Sequence, residues 1–405
     1  MSGSIKLKHA SGNGVIIAAP TSNPSSDKTI NLPSDETGIF ATKDSNDSLQ
    51  NISSINGNSL RARNLIDNGA MQIKQRAEAS GNTVAYLIDR FYMNFSGTDE
   101  APTQSRSDVA SGTTPYSLGF RKALKITNGN QTNGAGAADF INITHVIESA
   151  NVVNSGWNYN STTSFVSFSF WLKSSVSQRF YVRMFNLYGT LRVFNIDTGV
   201  VSANTWTKVT AKIPGNADLT FADDNLGGLS FQFIPFYGTD YTDGSSPIGS
   251  WYTSTGSTQI PAMTSTWYTT NDATFEITGV QLEVGPKVTE FMWDDRGIEL
   301  AKCMRYYQEL SRPRLRGLCG ATTAFNRAGV ALPVRMRTGP TATIVGTLDF
   351  FDGTVQTVTT QTASYVTVDS VEFDGSFATG SATAGRPAIC FVGGNTGKIT
   401  LRAEL

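Results

Sequence analysis

Phe165-Val-Ser-Phe-Ser-Phe-Trp-Leu-Lys173 alternates aromatic or aliphatic side chains with mostly polar ones. Successive residues of a β-strand point to opposite faces of a sheet, so this spacing predicts a half-buried strand. The same alternation recurs at 179–185, 205–210, 229–234 and 274–282. No helical pattern separates these segments, and we therefore predict an antiparallel β-sandwich over residues 61–293.

The composition of the 405 residues favours a multidomain β protein. Only 16% of residues are charged and 38 are glycine, which is typical of strands and turns. A formal net charge of -1 gives no positive field for nucleic acid or anionic lipid, so we expect neither as a partner. A hydrophobic content of 39% is sufficient for a core and argues against disorder.

The first 60 residues contain short extended pieces such as Gly14-Val-Ile-Ile17, too short to form a core alone. We interpret residues 1–60 as an extended N-terminal module that needs a partner surface or copies of itself. Asn and Ser dominate 49–60, as in a linker or stalk. The sequence shows neither a signal-peptide pattern nor a stretch of roughly 18 apolar residues, so we expect neither cleavable export nor membrane insertion.

A short linking helix is predicted within residues 294–312. Asp294 and Asp295 can cap its start, and Leu300, Met304 and Tyr307 share one helical face, which predicts a helix over 298–310. Strand patterns return at 313–405, where we predict a second, smaller β-sandwich domain.

Three cysteines, Cys303, Cys319 and Cys390, are odd in number and lack metal-site spacing. We interpret them as buried thiols in a protein that folds in a reducing cytosol.

Several motifs of the chain are distinctive. In the N-terminal module they are Val15-Ile-Ile-Ala-Ala-Pro20, Lys28-Thr-Ile-Asn-Leu-Pro33 and Thr37-Gly-Ile-Phe-Ala-Thr-Lys-Asp44. In the central block they include Asn64-Leu-Ile-Asp-Asn-Gly69, Gly279-Val-Gln-Leu-Glu-Val-Gly285 and Ile298-Glu-Leu-Ala-Lys-Cys-Met-Arg-Tyr-Tyr-Gln308. Together these motifs resemble those of tailed-phage virion proteins. The resemblance implies a jelly-roll, carbohydrate-binding-like domain in a virion component, anchored by its N-terminus and assembled as a homotrimer.

Catalytic signatures are sparse. The two histidines are His9 and His145, and we predict that His145 lies on the solvent face of a strand. The metalloprotease, serine-hydrolase and nucleotide-binding motifs are absent from the sequence. Polysaccharide-cutting tailspikes use paired carboxylates, for which the candidates are Asp99-Glu100, Asp223-Asp224 and Asp240 with Asp243.

These carboxylates lie in turn-like surroundings, so we interpret them as solvated loop residues and the protein as a non-enzyme. We expect no cofactor. A structural calcium in the sandwich is left open, without named ligands.

A long polar stretch between residues 236 and 271 is unusually aromatic. Aromatic faces among Ser, Thr and Asp suit stacking on sugar rings, but they also suit subunit interfaces. The candidates for glycan or interface contact are Trp157, Tyr159, Tyr237, Tyr241, Trp251, Tyr252, Trp267 and Tyr268.

The leading interpretation is therefore a non-enzymatic tail fibre or receptor-binding protein, located in the virion after assembly in the host cytoplasm. Its expected partners are two further copies of itself, other virion proteins and a host surface glycan or receptor. A head fibre or capsid-decorating protein is the alternative, and a polysaccharide-degrading tailspike is a third.

Overall fold

The computed structural model describes residues 64–76, 85–254, 256, 259–351, 353, 355–377, 382–392 and 397–405, and the backbone of short strands between residues 4 and 59. The strands are β1 (Ser4–Lys8), β2 (Gly14–Ala18), β3 (Thr42–Lys43), β4 (Leu49–Gln50), β5 (Ser54–Ile55), β6 (Asn58–Ser59), β7 (Ala85–Tyr86), β8 (Tyr92–Ser96), β9 (Thr103–Asp108), β10 (Lys122–Thr127), β11 (Phe140–Glu148), β12 (Phe165–Ser174), β13 (Gln178–Asn186), β14 (Arg192–Val201), β15 (Thr207–Pro214), β16 (Gly227–Tyr237), β17 (Trp251–Thr253), β18 (Thr274–Val284), β19 (Tyr307–Ser311), β20 (Arg314–Ala321), β21 (Ala324–Ala331), β22 (Thr341–Val345), β23 (Leu348–Phe351), β24 (Val355–Val366), β25 (Ser370–Phe377), β26 (Pro387–Val392) and β27 (Lys398–Arg402). The helices are α1 (Thr114–Ser117), α2 (Ser149–Val153) and α3 (Arg296–Met304). None of these helices is long and apolar enough to cross a membrane.

The chain divides into two compact units, Met1–Ile52 and Ser53–Leu405. In the first unit, β1 and β2 form an antiparallel hairpin and β3 pairs with β4. The motif at 28–33, and most of the one at 37–44, lie outside the described residues.

The second unit contains the predicted antiparallel sandwich, with strands in 48% of the chain and helices in 6%. One sheet has the order β15-β12-β18-β10-β9, and the other has the order β17-β14-β13-β16-β11-β8-β7. Their inner faces form one aromatic core, in which the rings of Phe168 and Phe231 stack with centroids 4.7 Å apart. The mostly-β sandwich prediction is confirmed.

The outer face of the five-stranded sheet is partly covered by the segment that follows β18. Glu283 is fully buried and accepts hydrogen bonds from the amide and hydroxyl of Thr289, both at 2.7 Å. The side-chain oxygen of Gln281 accepts the Met292 amide at 2.8 Å. The motif at 279–285 therefore holds the segment that follows β18 against the outer face of this sheet.

The motif at 64–69 is also structural. The Asn64 side chain accepts the Leu282 amide at 3.1 Å and donates to the Val280 carbonyl at 3.3 Å. A Cβ on Gly69 would lie 2.0 Å from that same carbonyl oxygen, so only glycine fits. Residues 64–69 thereby hold the start of the sandwich domain against β18.

The predicted helix starts as expected and ends early. The Asp295 carboxylate caps α3 by accepting the Gly297 amide at 2.7 Å. Beyond Met304, however, Tyr307–Ser311 is strand β19, which pairs with β27. The prediction of helix to residue 310 is wrong, because the Tyr307 ring packs under the Arg76 guanidinium, 3.7 Å away, while its backbone joins the sheet.

The C-terminal region is a barrel, where the sequence predicted a sandwich. Strands close in the order β20-β21-β25-β24-β23-β26, while β19, β27 and β22 form a separate sheet. In the barrel core, Phe350 stacks on Phe325 and Phe377, with centroids 5.6 and 5.0 Å away. Alternation fixes which face of a strand is buried, but it does not determine whether a sheet closes.

The cysteines are buried as predicted, and no disulfide joins them. Cys319 and Cys390 lie in the barrel core, and Cys303 lies on α3. Burial raises the pKa of Cys390 to about 12, so its thiol stays protonated at neutral pH.

Arg90 joins the sandwich to the C-terminal region. Its guanidinium carbon lies 3.3 Å from the ring centroid of Tyr306, just after α3. It forms ion pairs with Asp67 at 3.5 Å and Glu404 at 3.4 Å, and donates a hydrogen bond to the Val146 carbonyl. Although only 2% exposed, this cation thus has two carboxylates to balance its charge.

A neighbouring ion pair strengthens the same junction. Arg305, in the turn after α3, forms a two-point contact with the Glu148 carboxylate at 2.7 and 2.8 Å. Such a fork is the strongest geometry available to a guanidinium and a carboxylate.

His145 lies inside the core, and the prediction of a solvent-facing position is wrong. The residue is 1% exposed and its ring centroid lies 4.8 Å from that of Phe91. Burial, and secondarily the charge of Arg90, lower its pKa well below the ordinary value. The imidazole is therefore neutral in the folded protein.

This burial predicts loss of stability in mild acid. Unfolded histidine binds a proton below about pH 6.5, whereas folded His145 does not, so the free energy of unfolding should fall as pH drops from about 6.5 to 5, by up to about 1.4 kcal/mol per pH unit. In urea titrations, His145→Gln should show a shallower pH dependence over this range. Between pH 7.5 and 8.5 the two proteins should have equal slopes, and equal slopes in acid would contradict the assignment.

Candidate functional site

The eight aromatic candidates have different environments. Trp157, Tyr237, Trp267 and Tyr268 are buried, whereas Tyr159, Tyr241, Trp251 and Tyr252 are half-buried. The indole of Trp267 donates to the Thr274 carbonyl at 3.0 Å, and the Tyr268 ring stacks on Phe236 at 4.2 Å. Trp267 and Tyr268 are therefore core residues with no face to offer a glycan.

Three further candidates also serve the sandwich. Trp157 and Tyr159 pack edge to face with centroids 6.3 Å apart, and Tyr159 packs in turn on Phe221. The Trp251 indole donates to the Pro214 carbonyl at 2.6 Å and its ring packs against Phe194 in the core. Trp157 therefore belongs to the sandwich core, and Tyr159 and Trp251 pack against that core.

The remaining candidates, Tyr237, Tyr241 and Tyr252, lie at the outer face of the seven-stranded sheet. Tyr237 and Tyr241 have ring centroids 5.4 Å apart, and Tyr237 packs with the buried Ile260. The sequence thus located part of this surface, though only three of its eight rings belong there.

A continuous row of side chains crosses that face. Cross-strand register pairs Asn195 with Arg183, Arg183 with Gln232, Gln232 with Thr144, Thr144 with Tyr92 and Tyr92 with Tyr86. We call these six residues the polar row. With neighbouring strands about 4.8 Å apart, the row extends roughly 24 Å.

Hydrogen bonds between strands orient the middle of the polar row. The Gln232 side-chain oxygen accepts from Arg183 Nη1 at 3.1 Å and from the Tyr237 hydroxyl at 3.2 Å. Asn142 donates to that same hydroxyl at 3.0 Å. These polar groups are thus held in place on rigid strands.

One end of the polar row lies beneath the edge strand β17. Asn195 Nδ2 donates to the Tyr252 hydroxyl at 2.8 Å and to the Pro247 carbonyl at 3.2 Å. Burial raises the pKa of Tyr252, so its hydroxyl remains neutral. This end combines an amide and a phenol.

The other end opens into a cavity of about 270 Å³. Its lining includes Tyr86, Tyr92, Thr144, Val146 and Leu405. The two tyrosine rings lie 4.7 Å apart at 42°, and Thr144 and Tyr92 are half-buried. The row therefore ends in a recess with aromatic walls.

A second groove, of about 190 Å³, lies on the five-stranded sheet. Trp171, Phe291 and Trp293 line it, but Phe291 and Trp293 pack edge to face on each other at 4.9 Å. Ring packing within the protein accounts for this groove, so we favour the polar row.

The candidate carboxylates support turns. Asp99 accepts the Asn133 amide at 2.7 Å, Asp224 accepts the Tyr188 hydroxyl at 2.6 Å and Asp243 accepts the Ser245 amide at 2.8 Å. Hydrogen bonds from Asn133 and Ser245 lower the pKa values of Asp99 and Asp243, opposite to what a general acid needs. Within the described ranges, no group of three or more His, Cys, Asp or Glu side chains is arranged to hold a metal ion.

Sequence reasoning missed all six residues of the polar row. Arg183, Asn195 and Gln232 were each visible as a polar residue between apolar ones on a strand. Their relation was not visible, because register between strands distant in sequence brings them together.

Comparison with known proteins gives distant similarities of fold. No family model matches the chain, and no curated protein matches it. The enzymatically active domain of tailspike protein 4 from bacteriophage CBA120 is 12% identical over 55% of this chain and 21% of that chain, with a TM-score of 0.30. This chain thus spans about a fifth of that tailspike structure.

Two carbohydrate-binding structures are similarly distant. The C-terminal family 22 carbohydrate-binding module of Clostridium thermocellum Xyn10B is 11% identical over 54% of this chain and all of that chain, with a TM-score of 0.27. The N-terminal cellulose-binding domain of Cellulomonas fimi β-1,4-glucanase C is 10% identical over 48% of this chain and 90% of that chain, with a TM-score of 0.25. These likenesses are distant, and the fold of this chain rests on its own strand order and pairing.

The position of Trp267 predicts a large loss of stability on truncation. Trp267→Ala should lower the free energy of unfolding by about 3–5 kcal/mol, because a fully buried ring and its hydrogen bond are removed. Tyr365→Ala, at a ring 55% exposed on the barrel, is the control and should cost under about 0.5 kcal/mol. Equal effects in urea titrations would contradict the core assignment.

Proposed function

We propose that this protein is a non-enzymatic virion protein of a tailed phage, a tail fibre or receptor-binding protein that binds a host surface glycan. The glycan lies along the polar row on the seven-stranded sheet. The observation that carries this proposal is the row itself, in which amide, guanidinium and hydroxyl groups align across six strands and end between two tyrosine rings.

Sugar recognition needs planar hydrogen-bonding groups and apolar ring surface close together. Gln232 and Arg183 supply planar hydrogen-bonding groups, Thr144 adds a hydroxyl, and Tyr92 and Tyr86 supply ring surface. Because the groups lie on paired strands, little conformational entropy is lost when a ligand binds. An extended row suits a chain of sugars better than a single one.

The virion assignment is supported by the resemblance of the motifs at 15–20, 64–69 and 298–308 to phage structural proteins. The N-terminal module then anchors the protein to the particle, and assembly takes place in the host cytoplasm. A head fibre carrying the same domains is the alternative, and imaging the protein on the particle separates the two. Asp99, Asp224 and Asp243 accept hydrogen bonds from neighbouring protein groups, which supports glycan binding rather than glycan cleavage.

Host adsorption tests the binding face. Phage particles that carry Gln232→Ala should adsorb about tenfold less well, because hydrogen bonds worth on the order of 1 kcal/mol per copy are lost at several sites together. Gln361→Ala, at an exposed position of the barrel, is the matched control and should adsorb normally. Normal adsorption of Gln232→Ala particles would contradict this location.

Oligomeric state is a second test. Repeated weak sites gain avidity from closed symmetry, and resemblance to phage fibres favours three copies. Mass measurement of the full-length protein at micromolar concentration should give a trimer. A stable monomer would contradict the proposal.

A further inference from the structure

Arg183 is a buried cation without a compensating charge. The residue is 7% exposed, and its Nη1 donates to the neutral Gln232 side chain. Its Nε has no hydrogen-bond partner, and no ion pair to Arg183 is present in the described part of the chain. Asp197, further along the neighbouring strand, pairs instead with Arg179 at 3.0 Å.

Burial of a guanidinium without a compensating charge would lower the stability of the fold if Arg183 had only a structural role. A buried guanidinium normally gains a carboxylate partner, as Arg90 does from Asp67 and Glu404, although the Nε of Arg90 also lacks a hydrogen bond. Burial lowers the pKa of Arg183, and the groups that act against that shift are the hydroxyls of Tyr237 and Tyr252. A buried charged group with a pKa shifted by its surroundings is characteristic of binding sites.

Asn195 provides an independent observation at the same place. It lies directly opposite Arg183 in the sheet register and is fully buried. Its Nδ2 is used twice, but its Oδ1 accepts no hydrogen bond. The neighbour of Arg183 in the sheet register is therefore a neutral amide, which brings no negative charge to the guanidinium.

We propose that Arg183 forms a subsite for an acidic sugar on the polar row, in which the guanidinium binds the sugar carboxylate. This inference rests on the proposed glycan-binding function and specifies the ligand class as sugars that bear a carboxylate. A guanidinium fork matches a carboxylate at two points, and burial protects the contact from salt screening.

The test compares matched probes on the full-length protein. Glucuronate- and galacturonate-containing oligosaccharides are titrated by calorimetry beside the same oligosaccharides with each carboxylate reduced to an alcohol. The natural protein should bind an acidic oligosaccharide at least about tenfold more tightly than its reduced form. Arg183→Gln should lose this preference, and Arg183→Lys should keep part of it.

The control is Arg179→Gln, on the same strand but 49% exposed at its side chain and paired with Asp197. It should keep the full preference for the acidic form. A preference that survives in Arg183→Gln, or that disappears equally in Arg179→Gln, overturns the subsite.

A stability measurement separates binding from structure. Arg183→Met keeps the length of the side chain and removes the uncompensated charge, so its melting temperature should equal or exceed that of the natural protein. A fall of several degrees would show that Arg183 is structural and would overturn the proposal.

The outcomes also distinguish this inference from the proposed function. Equal binding of acidic and reduced oligosaccharides overturns the acidic subsite and leaves glycan binding in place. Failure of the natural protein to bind any of these oligosaccharides, together with normal adsorption of Gln232→Ala particles, overturns both.

Discussion

The compensated burial of Arg90 is the constraint on which the second unit depends. Its guanidinium lies over Tyr306, pairs with Asp67 and Glu404, and donates to the backbone at Val146. One cation thereby joins the start of the sandwich, a central strand, the turn after α3 and the end of the chain. Removal of either carboxylate would leave the buried charge only partly balanced, so the assembly of these pieces is coupled. Arg90 also lines the cavity at the end of the polar row.

The two outer faces of the sandwich are used differently. On the five-stranded sheet, buried Gln281 and Glu283 bind the backbone and the Thr289 side chain of the chain segment that follows β18. These two side chains therefore form their hydrogen bonds within the protein. On the seven-stranded sheet, the chain that follows β16 covers Asn195, whose side chain donates to the Pro247 carbonyl and the Tyr252 hydroxyl. Gln232, Thr144, Tyr92 and Tyr86 remain half-buried. This half-exposed part of the face is the one available for a ligand.

Arg90 and Arg183 show how burial of the same side chain serves two purposes. Arg90 has carboxylate partners from distant parts of the chain and stabilises the fold. Arg183 has only neutral neighbours, so a ligand supplies the missing charge in the proposed site. A weak individual site is consistent with attachment through several copies, since avidity rises with the number of sites engaged.

The strands, their packing as a sandwich and the Asp295 cap could be predicted from the sequence, because they follow from local alternation and capping chemistry. Burial of the cysteines could be predicted from their odd number and their lack of metal-site spacing. The sequence did not determine the end of α3, where Arg76 and strand pairing prevail over helical spacing, or closure of the barrel. It also could not separate the core ring of Trp267 from the surface ring of Tyr252, because both occur among the same polar neighbours. The polar row was decided only by tertiary structure. Asn195, Arg183 and Gln232 lie on three different strands, and the hydrogen-bond register between those strands makes them neighbours.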